Sequence, residues 1–336
     1  MLNLGKDIID RVVQLVETLD HELQAEILKD TLNALVDDEI VTFGEKVRIL
    51  SLDISRQIER GHSDIRALVQ NEWSSSLDLL TLQWAISQEL IEEHAAPDNA
   101  DQRDLFFTLR GLVAKGLLIS SEIKCLLAGG YPDGALARWR ALYEVTLVAA
   151  FVRKHGPGVA ERYRFNQSFV LKREADNYNK YHDKLGFEPI GREEMKEIEA
   201  DYTLAKDRVG RVFNGDLGWA AEALGFENKV KVGLQHLEQD LKMEHWRPLY
   251  KWSCQHNHAG YRGFGNMLAD IGRQGAGYSV GPSHYGFSDP LQFCSITLLQ
   301  LTGTYIGYPS STDGELVSMR LLSEISTRLR DILVDK

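Results

Sequence analysis

The chain of 336 residues is short of several things, and each shortage excludes a class of protein. Its three cysteines, Cys125, Cys254 and Cys294, are far apart and odd in number, with no CxxC spacing. That excludes a disulfide framework and a thiolate zinc site, and it suits reduced thiols in the cytoplasm. Long apolar runs are missing too. The longest, Val145 to Val152, is broken by Thr146 and falls far short of a membrane span. The opening MLNLGKDIIDRVV has no extended apolar core, so no secretory signal and no membrane partner are expected. GxxxxGK[ST], GxGxxG after a strand, HExxH and GxSxG are all absent. No His and carboxylate cluster has metal-ligand spacing, so neither a metal nor another cofactor is expected.

What is present is charge, unevenly spread. The net charge is −11, which disfavours a protein that coats nucleic acid non-specifically. Residues 1–100 hold 8 Lys/Arg against 20 Asp/Glu, whereas residues 101–180 hold 13 against 8. A basic stretch in an acidic chain leaves room for local anion binding.

Helical periodicity runs through nearly every segment, and no alternating strand pattern flanked by turn signals interrupts it. An all-α protein is the expectation. Apolar faces mark helices at Ile8–Val16, Leu23–Leu35 (with Asp20 as a plausible N-cap), Val47–Ile58 and Leu77–Ile91. The loop His94-Ala-Ala-Pro-Asp-Asn then separates an acidic helical module, 1–96, from a larger helical bundle, 97–336. In the bundle, Leu105–Leu127 stops at Gly129-Gly130, a helix-ending signal. Pro132 opens a helix that ends at His155-Gly156-Pro157, and the next runs to about Leu185. Further helices are expected over Glu193–Val212, Pro248–Gly272, Pro290–Tyr305 and Asp313–Val334, with a loop at Gln274–Phe287. A four- or five-helix bundle follows.

Two of these helices should be largely buried yet carry charge, which is expensive unless paired or used. The Pro132 helix holds Arg140 and Glu144 at i,i+4 in an otherwise apolar sequence. They are either an intrahelical ion pair that specifies packing, or a phosphate-holding Arg oriented beside a catalytic or ligand-binding Glu. On the Pro248 helix, Lys251, Gln255, His258 and Arg262 fall within an arc of roughly 60°, with Arg247 at its edge. That stripe is an anion-binding surface or a solvated face. His256 points about 160° away from His258, among apolar and small residues, and reads as structural. Gly260, Gly263 and Gly265 each cost a helix about 1 kcal/mol against Ala, which implies close packing or a local break. A third feature, the cations and aromatics from Arg162 to Tyr181, is interrupted by acids and reads as a solvated face.

These residues carry a resemblance. GGYPDGALARWRALYE, with Arg140 and Glu144, and YKWSCQHNHA, with Tyr250, Cys254 and His258, resemble a family of uncharacterised bacterial proteins over about residues 105–335. Such proteins look similar to the HEPN superfamily, all-α bundles of bacterial toxin–antitoxin and antiviral defence systems. Its hallmark is an Arg, four to six residues, then a His, which cut RNA without metal across a homodimer interface. Lys251 and His258 occupy the matching frame, and Lys lacks the planar fork of Arg. The resemblance implies a metal-independent endoribonuclease, or an RNA- or nucleotide-binding protein. His258 would exchange the proton of a ribose 2′-hydroxyl, Lys251 and Arg140 would stabilise the phosphorane-like transition state, and Glu144 would position a cation. Tyr250, Gln255, Arg262 and Arg247 would contact substrate. The competing class is a non-enzymatic interaction or regulatory module. In it the N-terminal helices hold a protein partner, and the charged residues form a packing network.

Overall fold

The computed structural model describes residues 24–210, 213–226, 230–257, 268–270, 276–278 and 280–334. Among these residues the protein is all-α, with nine α-helices and a single two-stranded hairpin. The first helix, α1, runs without interruption over Gln24–Glu93, where the apolar pattern had suggested three helices. The physical reason is an absence: no proline occurs between residues 24 and 93, and the two glycines there, Gly44 and Gly61, weaken a helix without breaking it. The expected helix at Ile8–Val16 and the N-cap Asp20 lie outside the described residues.

Contacts divide the chain between Asp64 and Ile65 rather than near residue 96. The loop after Glu93 does end α1, but a helix break is not a domain boundary. Val69, Trp73, Leu77, Leu80, Leu90 and Ile91 belong to the same buried core as the helices that follow. Polar contacts fix this join. Gln83 donates to the Ser295 carbonyl at 2.9 Å and accepts from the Ser295 hydroxyl at 2.7 Å. Both side chains are fully buried, so each unmade bond would carry a desolvation penalty.

Helix α2 (Ala100–Ala128) ends as its glycines suggest. The Tyr131 amide donates to the Leu126 carbonyl and the Gly130 amide to the Leu127 carbonyl, the double closure of a Schellman motif. Gly130 has φ +84°, and a Cβ there would stand 2.8 Å from Pro282, so glycine is required twice over. Pro132 then starts α3 (Pro132–His155).

Helix α3 is the axle of this unit, which explains why its sequence is apolar nearly all round. It packs against α2, α4 (Pro157–Leu185), α6 (Leu234–Leu241), α7 (Arg247–Gln255) and α8 (Ser288–Ile306). Trp139 and Tyr143 are fully buried, and the Trp139 indole donates to Thr297 of α8 at 2.9 Å. Helix α5 (Arg192–Val209) packs on α4, and α9 (Asp313–Val334) on α8. Thr312 and Glu315 cap α9 reciprocally: the Thr312 amide donates to Glu315, and the Glu315 amide to the Thr312 hydroxyl.

Two expectations fail after residue 247. The helix drawn over Pro248–Gly272 stops at Gln255. A short antiparallel hairpin follows, Leu268–Asp270 (β1) against Ala276–Tyr278 (β2), with Ala269 opposite Gly277. Three-residue strands are too short to show alternation. The helix α6 was not foreseen, because eight residues carry little more than two turns of periodicity.

Candidate functional site

Where α3 crosses α7, the two helices exchange a pair of Tyr–Arg–Glu clusters. On α3, Arg140, Tyr143 and Glu144 share a face by their i, i+3, i+4 spacing, and on α7 Arg247 and Tyr250 share another.

The first cluster is Arg140, Glu144 and Tyr250. The Tyr250 hydroxyl donates to Glu144 Oε1 at 2.5 Å, and Arg140 Nη2 donates to the same hydroxyl at 3.2 Å. Arg140 Nη2 also stands 3.5 Å from Glu144 Oε1, an i,i+4 ion pair at the edge of contact. Burial pushes the Tyr250 phenol up to about 12, reinforced by its bond to Glu144 and opposed by Arg140. Burial acts to lower the Arg140 pKa. The bond to Tyr250 and the charges of Tyr250, Cys254 and Glu144 outweigh it and leave the guanidinium above its ordinary value. The cluster is incompletely sealed. Arg140 is 17% exposed and Glu144 39%, and Arg140 Nε is buried with no hydrogen-bond partner among the described residues.

The second cluster is Tyr143, Glu238 and Arg247. The Tyr143 hydroxyl donates to Glu238 Oε1 at 3.0 Å, and Arg247 Nε donates to Oε2 at 2.6 Å. Glu238, on α6, is 1% exposed. Burial and the neighbouring Glu238 carboxylate drive the Tyr143 phenol far up, with Arg247 opposing. The clusters touch through Tyr250, whose ring lies within cation–π range of both guanidiniums, at 5.2 Å for Arg140 and 5.5 Å for Arg247.

Of the residues expected at the site, the structure thus brings together Arg140, Glu144, Tyr250 and Arg247. Arg247 is paired with Glu238. Lys251 is exposed and has no partner among the described residues, and Gln255 ends the helix half-buried. His258 and Arg262 lie outside the described residues. The His256 side chain is 4% exposed, 3.3 Å from Asp133 and edge-on to Trp252. Sequence reasoning missed Tyr143 and Glu238. Tyr143 looked like one more apolar residue of α3, and Glu238 sits in a short helix whose burial is set by packing alone.

Beside the first cluster is a cleft of about 270 Å³ between α2, α3 and α4, closed by Leu217 and by Leu234 of α6. Glu144 lines it, with Lys115 and Arg138 as its other charged residues. Among the described residues no group of three or more His, Cys, Asp or Glu side chains is placed to hold a metal ion. No helix among them is long and apolar enough to cross a membrane.

A family of unknown function, DUF5677, matches residues 106–275. The chain belongs to this family. Every residue of both clusters lies inside the DUF5677 match, whereas α1, α8 and α9 lie outside it. No curated protein and no solved structure matches the chain.

Proposed function

We propose that this DUF5677 chain is a HEPN-like protein that binds RNA or a nucleotide and cleaves RNA without a metal. The observation that supports the reading best is Arg140. A guanidinium held by Tyr250 and Glu144, with its Nε unpaired, is pre-aimed and has hydrogen-bonding capacity to spare for a phosphate. In this reading His258 takes the proton from a ribose 2′-hydroxyl. The 2′-oxygen attacks phosphorus, the bond to the 5′-oxygen breaks, and that oxygen leaves with a proton. The product ends in a cyclic phosphate. Lys251 and Arg140 offset the charge that develops on the phosphoryl oxygens. A homodimer and a protein partner on the N-terminal helices, in a toxin or antiviral setting, belong to the same proposal.

The test is RNA cleavage in chelator. Wild type should cut, His258→Ala should not, and Lys251→Ala should lose on the order of 10²-fold. Lys251→Arg should keep or raise the rate by restoring the two-pronged phosphate contact. Cleavage that survives His258→Ala sinks the nuclease reading.

A second reading, a non-enzymatic interaction module, is favoured by one observation. Lys251 makes no hydrogen bond or ion pair with the Arg140 cluster among the described residues, so that cluster can serve packing alone. Absence of cleavage by wild type, with full loss of fold in Arg140→Ala, is its expected signature.

A further inference from the structure

The cleft beside Glu144 has a chemistry of its own. The Glu122–Arg138 pair and the approach of Gly116 to Leu142 set an antiparallel register between α2 and α3. That register puts Lys115 level with Tyr143 and Glu144. The cleft is therefore lined at one height by an ammonium from one wall and a carboxyl group from the other. Neither is used up. Lys115 has no hydrogen-bond or ion-pair partner among the described residues, and Glu144 spends only Oε1, on Tyr250 and Arg140. Around this charge pair the walls are apolar: Leu112, Ala141, Val145, Val148, Leu217 and Leu234. Arg138, tied to Glu122, lies about two turns from Glu144 along α3.

From this arrangement we infer that the cleft binds a free α-amino acid with a large apolar side chain. Its ammonium would meet Glu144 Oε2, its carboxylate would meet Lys115, and its side chain would lie over Val145 and Val148. The volume, about 270 Å³, suits one such molecule. A nucleotide fits the cleft less well. Tyr163 is the cleft's one aromatic residue, and its ring is already set edge-on to Trp219 at 5.1 Å. A phosphate dianion would face Glu144 with only one uncommitted ammonium to offset the repulsion. The inference goes beyond the nucleic-acid reading and shares only Glu144 with it.

Calorimetric titration of the full chain with L-leucine and L-phenylalanine tests it. Saturable binding is expected. L-leucinamide lacks the carboxylate and 4-methylpentanoate lacks the ammonium, and each should bind ~10-fold more weakly or worse. Lys115→Ala should weaken leucine binding by a similar factor while leaving RNA cleavage unchanged. His258→Ala should do the reverse, so the two readings fail separately. Val148→Phe should fill the cleft and abolish binding. If that variant misfolds, Lys115→Ala, at an exposed position, still decides. The inference is overturned by no saturable heat at millimolar amino acid with folded protein, by equal binding of leucinamide, or by unchanged binding in Lys115→Ala. Tighter binding of uridine or adenosine monophosphate at this site would likewise overturn it.

Discussion

The two Tyr–Arg–Glu clusters at the α3–α7 crossing use the same three residue types, and their carboxylates differ in access to water. Glu238 is 1% exposed and both of its oxygens are engaged, one by Tyr143 and one by Arg247. Glu144 is 39% exposed, and one of its oxygens carries all of its contacts while the other is left for a cleft. The same chemistry is therefore structural in one place and available in the other. A buried ion pair adds little net stability when whole but destabilises severely when one partner is removed. A half-exposed pair is screened and contributes little either way. Where both kinds occur side by side, the open one is the candidate for function.

The largest effect should come from breaking the closed cluster. Glu238→Ala leaves Arg247 facing a cavity and removes the acceptor of Tyr143. A loss of about 3 kcal/mol is expected, at the low end for broken buried pairs because Arg247 keeps some contact with water. Urea unfolding should show a lower midpoint at an unchanged slope. A change of under about 1 kcal/mol would mean that Glu238 is not the keystone its burial suggests.

Next in size is the residue between the clusters. Tyr250→Phe keeps the ring between the two guanidiniums but removes the hydroxyl that links Arg140 to Glu144. About 1 kcal/mol should be lost, since both former partners still reach water or each other. Its pH signature is sharper. A group whose folded pKa is raised contributes stability in full below its unfolded value and loses it as pH rises through the folded one. For Tyr250 the window runs from 10.0 to about 12. Stability of the wild type should fall across that window, and Tyr250→Phe should flatten part of the fall. Tyr143→Phe should act on the fall at still higher pH, because its phenol is held up more strongly. Identical alkaline limbs in wild type and Tyr250→Phe would contradict the assigned hydrogen bond.

Much of this was legible in the sequence, and particular residues show why. The i,i+4 spacing of Arg140 and Glu144 in an apolar helix already implied a paired, partly buried couple. Gly129-Gly130 and Pro132 marked the turn that starts α3. The misses share one cause: local pattern does not encode tertiary partners. The apolar faces at Leu23–Leu35, Val47–Ile58 and Leu77–Ile91 suggested separate helices, but nothing between Gln24 and Glu93 stops a helix, so that stretch forms one element. The loop at His94 looked like a domain boundary because composition changes there, while the core crosses it through Trp73 and Leu80. Glu238 could not be found from its own segment, since its partners are 95 residues before it and 9 after it.

The smallest stability effect should come from Glu144→Gln, and it separates the clusters most cleanly. The amide keeps the shape of the side chain, and its oxygen can still accept from Tyr250. What goes is the charge facing Arg140, and that ion pair is already long at 3.5 Å and partly screened by solvent. The unfolding midpoint should move by less than the equivalent of about 0.5 kcal/mol. Glu238→Gln should cost several times more, because it leaves the mostly buried Arg247 guanidinium without its counter-charge. Ligand binding should rank the two variants in the opposite order. Glu144→Gln removes the counter-charge for the ammonium of the proposed ligand, whereas Glu238→Gln alters no group that lines the cleft. Equal destabilisation by the two substitutions would show that Glu144 is as structural as Glu238. The distinction between an open and a closed cluster would then be one of exposure only, with no bearing on function.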